Sequence, residues 1–286
     1  MRFEVRWGAL AALGWGREDG RRMLCLHGWL DNAASWQPLA ALLDGFNIVA
    51  LEMAGHGHSD HRPTGTQYHL ADHLFDVDAV LDGLGWDDCI LVGHSMGAGV
   101  AACYAAAAPE RVTALVLLDG LGPLAQAGIY GGQQLRRSLA SVRQPRRLEK
   151  VYADVDAAAQ ARTRRMPMAM ASARLLAERA LQGEPGAWRW RTDPRLMWIS
   201  PLRIVESQAR ELLAAIDCPT LVAFTAMAES FAGPALEPRL AVMRDVVFER
   251  VEGGHHFHMD DPVSTARMLM EFLNQPQRKE HSDGPA

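Results

Sequence analysis

A chain of 286 residues that is 49% hydrophobic is long enough to bury one substantial core, with room for an inserted subdomain. Its net charge of −5 excludes a general attraction to nucleic acid or to anionic membrane, and neither partner is expected. The charge is uneven: residues 121–206 hold 15 Lys+Arg against 7 Asp+Glu, a balance of +8, while the remainder holds 14 against 27.

The N-terminal "MRFEVRWGAL" lacks the apolar run of a signal peptide. Cys25, Cys89, Cys103 and Cys218 sit far apart in apolar stretches, as buried small hydrophobes do, so a reducing, cytoplasmic setting is expected. "FEVRW" and "LAALGWG" read as a hairpin that opens a sheet. "RMLCLHG", "FNIVALE", "DCILVGH", "VTALVLLD", "TLVAFT" and "DVVFERV" are strand-length runs bounded by Gly, Pro or Asp. Between them, "SWQPLAALLDG", residues 67–85, "SMGAGVAACYAAAAPE" and residues 261–274 have helical spacing. In the last of these, Val263, Ala266, Met270 and Leu273 recur at threes and fours. Strands alternating with helices predict an α/β fold: a mostly parallel sheet of about eight strands with helices on both faces. "ILVGHSMGAGVAACYAAAA" has the apolarity of a membrane span, but its glycines and central His94 argue for strand, turn and helix, and no stable membrane insertion is expected.

The rhythm breaks after Asp119. Residues 121–206 are arginine-rich and helix-like, are interrupted by prolines at 145, 167, 185, 194 and 201, and contain no convincing strand. They predict a helical cap inserted above the C-terminal strand ends, leaving 1–120 and 207–274 as the core. The polar residues 275–286 read as a disordered tail.

The chemistry lies in short motifs. "GHSMG" (93–97) is a G-x-S-x-G sequence between a strand-like and a helix-like run. So tight a turn thrusts the Ser95 hydroxyl upward, and the following helix offers backbone N–H groups to an anion. "LHGW" (26–29) ends another strand. "GGHHFHMDD" (253–261) packs three histidines and two aspartates into nine positions. These could be metal ligands, but a site would want an outlying partner cluster. The one on offer, "GHGHSDH" (55–61), suits a Gly-rich turn better. With a serine present one histidine base suffices, so no metal and no cofactor are expected.

"LHGWLDNAASW", "GHGHSDHRP", "GHSMGA", "LLDGLGP" and "GGHHFHMD" together resemble the α/β-hydrolase superfamily, from the first strand to residue 274, and the serine hydrolase-like subgroup in particular. The resemblance implies Ser95 as nucleophile and His255 as base, with His258 in a supporting place and His256 as a neighbour. It also implies an oxyanion hole made by the Trp29 and Met96 amides. Glu52 stands where many relatives have Asp and is taken as structural. The orienting acid departs from the common pattern. In "CPTLVAFTAMAES" the usual glycine is Thr225, the usual aspartate is Ala228, and Glu229 falls one step late. Asp119, closing "VTALVLLDG", keeps the order Ser95, Asp119, His255 and is the preferred acid, with Glu229 second.

These pieces point to a hydrolase of carboxylic esters with small to medium acyl or aryl groups. The same apparatus serves C–C, thioester or lactone cleavage, or acyl transfer. The missing strand-end aspartate also leaves open a non-catalytic ligand-binding protein of this fold. Trp29, Trp36, His94, Trp188 and Trp190 are the expected substrate contacts, with Met166, Met168, Met170 and Trp198 as further candidates for the cap's inner surface. "RRSLASVRQPRRLEK" reads as a solvated helix face, or as a lure for an anionic substrate.

Overall fold

The computed structural model describes residues 1–125, 131–143 and 150–275. Strands β1 (Arg2–Val5), β2 (Gly8–Gly16) and β3 (Arg21–Leu26) lead into helix α1 (Gln37–Ala40) and strand β4 (Phe46–Leu51). Helix α2 (Asp72–Leu84), strand β5 (Cys89–His94), helix α3 (Met96–Ala107) and strand β6 (Val112–Leu118) follow. Then come helices α4 (Gly131–Arg143), α5 (Val155–Arg165) and α6 (Met170–Ala180) and the short strands β7 (Leu181–Gln182) and β8 (Arg189–Trp190). The chain closes with α7 (Glu206–Ala214), β9 (Thr220–Phe224), α8 (Ala226–Ala232), α9 (Leu236–Leu240), β10 (Val246–Arg250), α10 (Phe257–Asp260) and α11 (Pro262–Leu273).

Eight strands form one sheet in the order β1-β2-β4-β3-β5-β6-β9-β10. The opening hairpin and the β2–β4 pair are antiparallel, and every later pair is parallel. Alternate residues of each central strand feed two separate cores, as the period of two requires. Leu24, Leu26, Val49, Leu51, Leu91, Leu115, Leu117 and Val222 pack under α2, α3 and α7. Met23, Cys25, Ile48, Ala50, Val92, Val116 and Leu221 pack under α1 and α11. Burial on both faces explains why these strands read as continuous apolar runs.

The α3 helix is rich in alanine and glycine because it lies against the sheet without room for larger groups. A Cβ on Gly97 would meet the Leu26 carbonyl oxygen at 2.2 Å. Gly97 therefore lets the first turn of α3 press against the end of β3, which joins "GHSMG" to "LHGW" in space.

The segment between β6 and α7 carries helices, as expected, but it also holds an antiparallel ribbon. β7 pairs with β8, and Tyr152 bridges to Trp188. Two-residue strands are too short to leave a sequence period. This segment has a small core of its own, in which Ala158 and Ala159 of α5 meet Ala173 and Ala177 of α6. "SWQPLAALLDG" also differs: a 3₁₀ turn at Ala33–Trp36 runs into the one-turn α1 rather than forming one long helix. Residues 144–149 of the arginine run and 276–286 of the expected tail lie outside the described residues. No helix among the described residues is long and apolar enough to cross a membrane.

Gly97→Ala tests the close approach. The added methyl meets backbone that cannot swing aside, so thermal unfolding of the variant should show a loss of roughly 1–3 kcal/mol, the usual cost of overpacking a tight core.

Candidate active site

Two adjacent strand ends make the same unusual turn. Ser95 follows β5 with φ 53°, and Asp119 follows β6 with φ 50°. Each costs of order 1 kcal/mol or more for a residue with a Cβ. Each is held by the neighbouring strand: Ser95 N–H donates to the Leu118 carbonyl and Asp119 N–H to the Ala223 carbonyl, both at 2.8 Å. The backbone stays zipped to the sheet while the two side chains turn up from its edge. Gly120 allows the second turn to nest on the first, because a Cβ there would sit 2.6 Å from the Ser95 carbonyl oxygen.

His255 stands between β10 and α10 and joins the two. Its Nε2 is 3.0 Å from Ser95 Oγ and its Nδ1 is 2.9 Å from Asp119 Oδ2. A carboxylate accepts only, so Nδ1–H donates to Asp119 and Nε2 is left to accept the serine hydroxyl. Asp119 is buried, and both its oxygens are committed. Oδ1 accepts the Thr225 N–H at 2.7 Å, and Oδ2 accepts the Thr225 hydroxyl at 2.9 Å. Thr225 was legible only as a departure from the usual glycine. Its hydroxyl also caps α8 by accepting the Ala228 N–H at 3.3 Å, a Thr-before-helix signal that could have marked it.

Glu229, the second choice for the acid, pairs elsewhere: the chain enters α8 directly after Thr225, and Glu229 meets Arg250 Nε, at the end of the neighbouring strand β10, at 2.6 Å, while His255 pairs with Asp119. Glu52 is structural, as read. Its oxygens pair with Arg179 at 2.7 and 2.9 Å, and it is fully buried.

The expected oxyanion donors lie where the first turn of α3 meets the end of β3. Met96 is the first residue of α3, so its amide has no acceptor within the helix. The Trp29 amide is aimed by its own peptide plane. The Gly28 carbonyl accepts His27 Nδ1–H at 2.8 Å and Asp31 N–H at 3.1 Å. In a trans peptide, the N–H of the next residue then points the opposite way.

Of the expected substrate contacts, Trp29 stays on the surface, 40% exposed, with its indole N–H reaching the Leu196 carbonyl at 3.3 Å. Trp36 and His94 are corrected by their burial. Trp36 is 1% exposed and fills the core beside Met23, Cys25 and Leu39, because the 3₁₀ turn points it inward. His94 is completely buried and donates through Nε2 to the His255 carbonyl at 2.8 Å. Trp188 and Trp190 pack on the inserted segment's own alanine core, where the indole N–H of Trp190 reaches the Tyr152 hydroxyl.

Beneath His255 lies a buried polar cluster. Its rings pack tilted against one another: His258 sits 4.3 Å from His94 and 5.0 Å from Trp36, centroid to centroid. Asp31 Oδ2 lies 3.2 Å from His256 Nε2 and 3.6 Å from His94 Nδ1. Among the described residues, Asp31, His94 and His256 form the group that could hold a metal ion, with ligand atoms within 4.8 Å of one another. The charge of Asp31 is already met by the Arg162 guanidinium. Burial alone would push the Asp31 carboxyl up, but His256 and Arg162 beside it carry it well below the usual carboxylate range. Burial pushes His94 down to about 4, and His258 well below its ordinary value.

A family model described as the alpha/beta hydrolase fold matches residues 21–223. The chain belongs to the α/β-hydrolase family. Within that family, a serine hydrolase-like protein of Danio rerio is 31% identical over 99% of this chain and 90% of its own length. A hypothetical protein of Pseudomonas aeruginosa PAO1 superposes with a TM-score of 0.88 at 37% identity, covering 96% of this chain and 97% of that one. The thioesterase domain from the curacin biosynthetic pathway superposes at 0.82 with 27% identity, covering 95% and 98%.

The buried histidines give this hydrolase-family member an acid weakness. His27, His56, His94 and His258 all have values depressed by burial, so the unfolded chain binds protons that the folded chain refuses. Above about pH 6.5 neither state is protonated there and nothing is lost. Below it, each strongly depressed histidine removes about 1.4 kcal/mol of stability per pH unit, down to its folded value. Urea melts should therefore show lower stability at pH 5.0 than at pH 7.5, by about 2 kcal/mol from His94 alone, and equal midpoints would contradict the assignment.

Proposed function

We propose that this chain is a serine hydrolase of carboxylic esters carrying small to medium acyl or aryl groups, working through Ser95, His255 and Asp119 and an acyl-enzyme intermediate. The observation that carries the proposal is the continuous hydrogen-bond path from Ser95 Oγ through both ring nitrogens of His255 to Asp119. His255 Nε2 takes the Ser95 proton as Oγ attacks the carbonyl carbon. The negative charge that develops on the substrate oxygen is met by the Trp29 and Met96 amides and by the N-terminal end of α3. Asp119 stabilises the imidazolium and fixes its tautomer, and Thr225 in turn fixes Asp119. His255 then protonates the leaving alcohol. A water attacks the acyl-enzyme by the same route and frees Ser95. Every step is served by the chain's own groups, so the proposed mechanism uses no cofactor. The segment between β6 and α7 is proposed as the cap, and the free thiols of all four cysteines suit a reducing cytoplasm.

Thioester cleavage is the second reading. It is favoured by the likeness to the curacin-pathway thioesterase domain, and the same base, nucleophile and oxyanion donors would serve it.

Hydrolysis of p-nitrophenyl esters and acyl thioesters of graded chain length tests the proposal. Ser95→Ala should abolish turnover. Asp119→Asn should lower kcat by roughly 10⁴-fold, as loss of the orienting acid does in such triads. Glu229→Gln should leave kcat within about twofold of the wild type, and a metal chelator should leave the wild-type rate unchanged. A wild type inactive on every ester and thioester would overturn the proposal.

A further inference from the structure

We propose that Arg162, on the inserted helix α5, is a positioning residue for both the oxyanion donor and the base, through Leu30 and Asp31, so that the site is complete only while α5 is seated. The inference rests on the serine-hydrolase reading of Ser95 and His255.

The guanidinium makes two contacts on the loop after β3. Its Nη1 donates to the Leu30 carbonyl at 2.9 Å, and its Nη2 donates to Asp31 Oδ1. Leu30 sits at φ 63°, a left-handed conformation that a branched side chain does not take without support. Its carbonyl, held by Arg162, belongs to the same peptide plane as the Asp31 N–H, which points the other way and donates to the Gly28 carbonyl at 3.1 Å. That carbonyl is the far side of the peptide carrying the Trp29 N–H. Two peptide planes thus connect the guanidinium to the oxyanion donor, each fixing the next.

The second path runs through the carboxylate. Asp31 Oδ1 is taken by Arg162, while Oδ2 faces His256 Nε2 at 3.2 Å and His94 Nδ1 at 3.6 Å. His256 is the neighbour of His255 in the chain, so the loop that presents the base is tied through the His256 ring to the same carboxylate that Arg162 neutralises, while His94 Nε2–H holds the His255 carbonyl. The Asp31 side chain is 1% exposed and that of Arg162 is 13% exposed, so loss of the cation would leave a buried, unpaired charge at the junction of both loops.

The inserted segment is held where this requires. Asn32 Nδ2–H donates to the Leu176 carbonyl of α6 at 2.9 Å, and Arg179 of α6 grips Glu52. Small residues let α5 and α6 pack closely, so Arg162 is carried on a rigid pair. A planar fork with two separated donors suits a carbonyl and a carboxylate on consecutive residues, and a lysine ammonium does not reproduce it.

The experiment measures kcat and KM on one p-nitrophenyl ester for wild type, Arg162→Gln, Arg162→Lys, Asp31→Asn and the double variant Arg162→Gln/Asp31→Asn. The expected result for Arg162→Gln is a fall in kcat of about 10- to 100-fold, the scale of a misplaced catalytic group, with KM within about twofold of the wild type. Arg162→Lys keeps the charge beside Asp31 and should fold, yet lose kcat by about tenfold. The double variant should be no slower than Arg162→Gln alone, because both changes cut one unit. In a further variant, Arg162→Ala, added guanidinium ion should raise kcat severalfold and leave the wild type unchanged. A wild-type kcat in Arg162→Lys, a loss confined to KM, or additive effects in the double variant would overturn the inference. A wild type that neither turns over nor reacts at Ser95 with a fluorophosphonate would instead remove the reading on which it rests.

Discussion

The Asp119 carboxylate, buried at the end of β6, is the group on which the arrangement of the site depends. Its backbone is left-handed, its amide is bonded to β9, and its oxygens are divided between Thr225 and His255. A carboxylate so placed can neither rotate nor find another partner. It therefore fixes the ring plane and tautomer of His255, and through them the free nitrogen presented to Ser95. Ser95 and Asp119, the proposed nucleophile and acid, are twin turns on neighbouring parallel strands, and the sheet register sets their spacing.

This arrangement opposes local stability. Two side-chain-bearing residues are held left-handed at the working edge, a third at Leu30, and several histidines are buried neutral beneath them. The two apolar layers on either side of the sheet supply what offsets these costs. The polar cluster of Asp31, His94, His256 and His258 forms a floor under His255, in which the second and third histidines of "GHHFH" pack beneath the first.

The sheet was legible because its strands are apolar on both faces and end in Gly or Asp, and Ser95 was legible because a G-x-S-x-G turn has a strong local signature. The pairing of Asp119 with His255 was foreseen only through the family resemblance, which places a carboxylate where this chain has Ala228 and offers the end of β6 as the other position. Thr225 was not read as a partner, because a hydroxyl that serves an aspartate 106 residues away leaves no local pattern. Trp36 misled for a similar reason: near the oxyanion loop it has the character of a pocket lining, but the 3₁₀ turn that buries it is too short to show a period. The Arg162–Asp31 pair joins residues 131 apart and was invisible to any reading of spacing.

In the proposed mechanism Asp119, through His255, makes Ser95 a nucleophile. The most direct measurement is the rate at which a fluorophosphonate adds to the protein, followed by intact mass, with the adduct located by peptide mapping. The expected result is a single adduct on Ser95, forming rapidly in the wild type and in Glu229→Gln and at least a hundredfold more slowly in Asp119→Asn, on the scale by which loss of a triad acid slows such serines. Equal rates in Asp119→Asn and wild type, or an adduct on another residue, would contradict it.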